Sequence, residues 1–83
     1  MAVRLTADAA SDIAPLPTVI KGRLEAIRAR LELWPQVSGA KPLTRGWVGH
    51  FRIRTGDYRV IFRPDGPNVV IVRVMHRSTV YDP

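Results

Sequence analysis

The chain has 83 residues, 46% of them hydrophobic and 24% charged, and it contains no cysteine. A chain of this length reads as one domain over residues 1–83, because splitting into several domains is typical only at about two or three times the length. Without cysteine there is no disulfide framework and no thiolate chemistry. Two histidines without clustered carboxylates supply too few ligands for a metal site, so neither a metal nor another cofactor is expected. The longest aliphatic run, Val69 to Val72, falls far short of the roughly 20 residues that cross a bilayer. The opening residues carry Asp8 and Asp12 and lack the apolar run of a secretory signal, so a cytoplasmic protein with no membrane partner is expected.

Thirteen basic residues against seven acidic ones give a net charge of +6, and eleven of the thirteen are arginine. The excess is uneven, since residues 41–83 carry +5 of the +6. Guanidinium forks match phosphate geometry, and a basic face steers polyanions, which points to nucleic acid or to an acidic protein partner.

Ala2 to Leu5 read as a short strand, followed by Thr6 as the cap of a helix beginning at Ala7. That helix should end near Ala14, because Pro15 and Pro17 disfavour helical geometry in the residues before them. A second helix starts at Pro17, with Ile20, Leu24, Ile27, Leu31 and Trp34 on one face, and Pro35 stops it. Gly22 weakens this helix by about 1 kcal/mol relative to alanine, and reads either as a close contact or as simple tolerance.

After a loop over 36–46 the hydrophobic period changes from helical to alternating. Phe51 to Thr55 and Tyr58 to Phe62 form a hairpin around a Gly56-Asp57 turn. The turn fixes the register: Thr55 meets Tyr58, Arg54 meets Arg59, Ile53 meets Val60, Arg52 meets Ile61, Phe51 meets Phe62 and His50 meets Arg63. One face is then apolar and fit to lie beneath helices, and the other bears His50, Arg52, Arg54, Arg59 and Arg63. A turn over 64–67 leads into Val69 to Met75, whose nearly unbroken apolar run describes a central strand covered on both faces. The polar tail from His76 to Tyr81 follows directly.

Like charges opposite one another on antiparallel strands destabilise the pair by a few tenths to about 1 kcal/mol. Arg54 against Arg59 is therefore a pairing that folding alone does not choose, and an anionic ligand would relieve it. If the two side chains splay into water, the same residues are only a solvated face. Arg77 and Tyr81 at the end of the last strand could add a third guanidinium and a phenol.

The order Phe51-Arg52-Ile53-Arg54, Gly56-Asp57-Tyr58-Arg59-Val60-Ile61-Phe62, then Val74-Met75-His76-Arg77 and Val80-Tyr81 resembles the RelE/ParE superfamily of bacterial toxin–antitoxin modules. The likeness extends nearly end to end, taking in Leu16-Pro17 between the helices, Pro35, and Lys41-Pro42-Leu43 before the hairpin. It implies an α+β fold of order β-α-α-β-β-β: an N-terminal strand and a two-helix hairpin packed on an antiparallel sheet. It also implies a toxin neutralised by a cognate antitoxin. By charge complementarity that antitoxin should be acidic, with an amphipathic helix lying over the toxin's helices or over its arginine face.

RelE-like members are ribosome-dependent endoribonucleases that cut messenger RNA, whereas ParE-like members poison DNA gyrase, and both alternatives stay open from the sequence. The resemblance places the RelE-type catalytic set on Arg52, Arg54, Arg59, Arg77 and Tyr81, with Lys41, Arg45, His50, Arg63 and His76 expected to bind RNA. Arg59 and Arg77 would clamp the phosphate while Arg52 and Arg54 add charge. Tyr81 would stack on a base or take the 2′-OH proton, the latter provided that guanidinium groups lower the phenol from its ordinary value of about 10. Some RelE-type members carry lysine where Arg52 and Arg54 stand, and arginine does not titrate usefully. Proton transfer is therefore left to Tyr81, to His76 or to the ribosome.

Overall fold

The computed structural model describes residues 1–79. In chain order it contains β1 (Ala2–Leu5), α1 (Ala7–Ile13), α2 (Thr18–Leu31), β2 (Lys41–Pro42), β3 (Phe51–Thr55), β4 (Tyr58–Asp65) and β5 (Asn68–His76). The strands form one sheet in the order β1-β5-β4-β3-β2. The architecture is the expected α+β fold, with two features the sequence reading lacked. The two-residue strand β2 lies within the segment read as loop, and β1 joins β5 in parallel, Ala2 beside Asn68 through Leu5 beside Ile71.

Local chemistry accounts for each boundary. The Thr6 hydroxyl accepts a hydrogen bond from the Ala9 N–H and so caps α1. α2 has Pro17 as its N-cap and ends at Leu31, three residues earlier than expected; the Trp34 N–H bonds the Leu31 carbonyl in the turns beyond. Trp34 nevertheless keeps its apolar role, its ring 4.8 Å from Phe51 and 5.2 Å from Phe62. Both hairpin turns begin on glycine with positive φ, Gly56 at +57° and Gly66 at +56°, as a type II′ turn requires. The β3–β4 register from Thr55–Tyr58 to Phe51–Phe62 is the expected one; the ladder stops there, and His50 instead bonds Trp47 and Leu43 through its backbone.

The core lies between the helices and one face of the sheet. Leu24, Ile27 and Leu31 of α2 and Ala9 of α1 pack on Ile53, Val60, Phe62, Val69, Ile71 and Val74. Gly22 is exposed and a Cβ there would meet nothing within 4 Å, so it marks tolerance rather than close approach. β5 is an interior strand, and its partner β1 ends at Leu5, leaving the later part of that edge without a strand. Side chains complete the ladder there. The Thr6 hydroxyl donates to the Val72 carbonyl at 2.8 Å, and the Asp12 carboxylate accepts from the Val74 N–H at 2.9 Å and from Arg73 at 2.8 Å. Burial pushes the Asp12 carboxyl up, but the Arg73 and Val74 bonds outweigh it and hold the group below the ordinary carboxylate range.

Candidate functional site: an arginine cleft at the hairpin turn

Cross-strand partners share a face of a sheet, so the β3–β4 register alone puts Arg54 and Arg59 side by side. A second like-charged pair adjoins them, since β2 sets Lys41 opposite Arg52. Basic side chains thus line the face of the hairpin turned away from the helices. The end of β5 comes up to the same turn. The Arg77 N–H donates to the Asp57 carbonyl at 2.6 Å, and the Arg77 guanidinium lies 3.5 Å from the Asp57 carboxylate.

The result is a cleft of about 240 Å³ lined by Arg54, Gly56, Asp57, Tyr58, Arg59 and Arg77. Arg59 is half-buried while Arg54 and Arg77 are exposed. The Arg77–Asp57 pair is 70% and 59% exposed at its two side chains, so it is weak and water-screened, and an incoming anion can displace it. This arrangement is chemically suited to binding a phosphate: guanidinium groups from β3, from β4 and from the turn that follows β5 line one open cleft.

The other residues singled out from sequence are distributed more widely. Arg52 lies one pleat further from the turn than Arg54, on the same face, with Lys41 beside it. Arg45 is exposed in the loop before β3 at φ +49°. Arg63 sits toward the opposite end of the hairpin, 3.8 Å from Asp65. His50 precedes β3, its ring 5.1 Å from Trp47, and its Nδ1 is buried with no hydrogen-bond partner among the described residues.

His76 is opposite Tyr58, which packs on the core, and the two rings meet edge to face at 5.3 Å. That pairing turns His76 toward the helix face, away from Arg54 and Arg59, and it does not line the cleft. Its Nδ1 lies 3.1 Å from the Ser78 backbone nitrogen and 2.7 Å from the Ser78 hydroxyl, so the ring is engaged by the turn after β5. Tyr81 lies outside the described residues. Asp57 was not among the candidates; its place in the turn next to Arg59 was visible, but its contact with Arg77 depends on where β5 ends.

A larger, mostly apolar cleft of about 250 Å³ lies between the helices and the sheet, over Leu5, Ile13, Leu24 and Val60. It brings together no set of reactive groups. No group of three or more His, Asp or Glu side chains that could hold a metal ion occurs among the described residues. None of the described helices is long and apolar enough to cross a membrane.

An N-terminal strand, two helices and a basic hairpin joined by the end of the last strand define a small toxin scaffold. A family model described as the ParE toxin of the type II toxin–antitoxin system parDE matches residues 3–81. The chain belongs to the RelE/ParE toxins of type II toxin–antitoxin systems, as a RelE-like member. Toxin RelG of Mycobacterium tuberculosis is 38% identical over 82 residues, covering 95% of this chain and 93% of the relative. Among solved structures, the toxin–antitoxin complex RelBE2 from Mycobacterium tuberculosis matches with a TM-score of 0.78 and 35% identity, over 92% of this chain and 96% of the other. The archaeal RelE–RelB complex from Pyrococcus horikoshii, at 23% identity and a TM-score of 0.73 over 95% and 97% of the two chains, shares the fold.

Proposed function

We propose that this toxin is a ribosome-dependent messenger-RNA endonuclease, and that the arginine cleft holds the scissile phosphodiester. The observation that carries the reading is the meeting of Arg54, Arg59 and Arg77 around one cleft. The chemistry is transesterification. The ribose 2′-oxygen gives up its proton and attacks the adjacent phosphorus, the bond to the 5′-oxygen breaks and that oxygen takes a proton from water, and the products are a 2′,3′-cyclic phosphate and a 5′-hydroxyl end. Charge accumulates on the non-bridging oxygens in the transition state, where fixed guanidinium groups stabilise it without any change of protonation. Arg59 and Arg77 clamp these oxygens, Arg54 and Arg52 add field and hold the backbone, and Tyr81 is the proposed proton acceptor. The cleft's open floor suits a substrate presented by a larger particle, which is the ribosome's part and would place the activity in the cytoplasm. An acidic antitoxin is the proposed partner, supported by the positive charge of residues 41–83 and by the RelB-bound state of the structural neighbours.

A ParE-like gyrase inhibitor without nuclease activity is the second reading, favoured by the description of the matching family model. Mapping transcript 5′ ends after brief induction without antitoxin separates the two. Cuts in translation register are expected, and Arg59→Ala or Arg77→Ala should reduce them about 10²–10³-fold, the usual loss for one transition-state charge donor. Intact transcripts with broken chromosomal DNA would replace the nuclease reading with the second one.

A further inference from the structure

The cleft has a neighbour in the helical layer that the hairpin register does not reveal. From the middle of the first half of α2, Arg23 reaches across to the β3–β4 turn, its Nη1 3.0 Å from the point that a Cβ on Gly56 would occupy. Gly56 also lines the arginine cleft, and it alone among the lining residues has no side chain. A side chain at that position would push the guanidinium aside. The bare glycine therefore lets the helix layer and the cleft share a border.

The other arginines near the end of α2 are engaged. Arg28 is bound by Glu25 and Glu32, and Arg30 donates to the Ser38 carbonyl at 2.6 Å. Arg23 has no hydrogen bond or ion pair among the described residues, so no described carboxylate accounts for its lean over the turn.

We propose that Arg23 forms a second phosphate subsite, holding the phosphodiester next to the one seated between Arg54, Arg59 and Arg77. The inference rests on the RNA reading of the cleft. A single strand of RNA is a chain of evenly repeated phosphates, so a strand with one phosphate in the cleft must leave across its rim. Gly56 puts no side chain in the way of such an exit, and a strand leaving there comes next to the Arg23 guanidinium. Asp57, the one acidic residue in the lining, would repel a phosphate on that path. Arg77 draws on that carboxylate from one side, at 3.5 Å, and Arg23 supplies positive charge across the turn.

The test is binding of a short single-stranded RNA with 2′-O-methyl sugars, which cannot be cleaved, followed by fluorescence anisotropy across a salt series. Wild type, Arg23→Ala, Arg59→Ala and Arg30→Ala are compared, the last removing the same charge from the same helix away from the turn. Arg23→Ala is expected to lower the slope of log affinity against log salt by about 0.7, the value for one phosphate contact on a single strand. Arg30→Ala should follow wild type, and Arg23→Lys should restore most of the slope, since lysine binds phosphate as a point charge. If Arg23→Ala follows Arg30→Ala while Arg59→Ala loses slope, the subsite is overturned and the reading of the cleft stands. If Arg23→Ala loses slope and Arg59→Ala does not, the phosphate contact at Arg23 is upheld and the proposed nuclease site fails. No binding by wild type, or equal losses in all three alanine variants, overturns the subsite.

Discussion

The two faces of the β3–β4 hairpin obey opposite rules. Toward the helices the ladder pairs Ile53 with Val60 and Phe51 with Phe62, and Ile53, Val60 and Phe62 are almost wholly buried. Away from them the same strands set Arg54 against Arg59, and β2 sets Lys41 against Arg52. One face stabilises the fold through apolar pairs, and the other opposes it through like charges. Elsewhere the chain does match its charges: Arg28 lies between Glu25 and Glu32, and Arg73 is held by Asp12. Arg28 and Arg73 are thus each given a carboxylate, whereas Arg54 and Arg52 each lie opposite another cation across the ladder, a placement that suits an external anion.

That contrast is open to direct attack. The largest loss should come from the helix face: Phe62→Ala removes a fully buried ring that touches both Trp34 and Phe51, and should cost about 3–5 kcal/mol in denaturant unfolding. A value under 1 kcal/mol would mean that this face does not carry the stability.

Asp12→Asn tests a matched charge and should cost about 1 kcal/mol at neutral pH, a charge-assisted bond discounted for the partial exposure of Arg73. The Asp12 carboxyl is held below its ordinary value in the folded protein, so its stabilisation is complete above the unfolded value of about 3.9 and is lost as pH falls through the lower folded one. The wild-type advantage over Asp12→Asn should therefore shrink on acidification through that window; a gap that stays constant down to strong acid would assign the cost to shape rather than charge.

On the outer face the sign reverses. Arg54→Thr relieves the repulsion with Arg59 and should raise stability by a few tenths to about 1 kcal/mol while weakening the proposed RNA cleavage, and a loss of stability would show that the arginine pair is no burden. The smallest effect is a control outside both faces. Gly22→Ala should add about 0.5–1 kcal/mol, because the helix gains propensity and the new methyl meets empty space.

The hairpin was legible because a glycine-led two-residue turn leaves only one register in which Phe51 and Phe62 fall on the same face as Ile53 and Val60. Thr6 as a cap and the apolar stripe of α2 were legible for the same reason, each being set by local spacing. β2 escaped because two residues, one of them proline, contain no periodicity. The end of α2 was misplaced because Trp34 continues the apolar spacing while the backbone has already turned. The site was legible in so far as it follows from the register, hence Arg54 beside Arg59. The Arg77–Asp57 contact, the Asp12–Arg73 pair and the reach of Arg23 to Gly56 join residues 20, 61 and 33 positions apart, and no local pattern encodes such meetings.

The parallel pairing of β1 with β5 has a consequence for biosynthesis. β1 is zipped to β5, far along the chain, and Thr6 and Asp12 find their backbone partners at Val72 and Val74. A nascent polypeptide that has not released β5 from the exit tunnel therefore has no completed sheet, and Arg77, which lines the cleft, follows β5 in the chain. Assembly of the cleft thus waits until the residues of β5 and Arg77 have emerged, so a copy stalled before them has the hairpin arginines but not the assembled cleft.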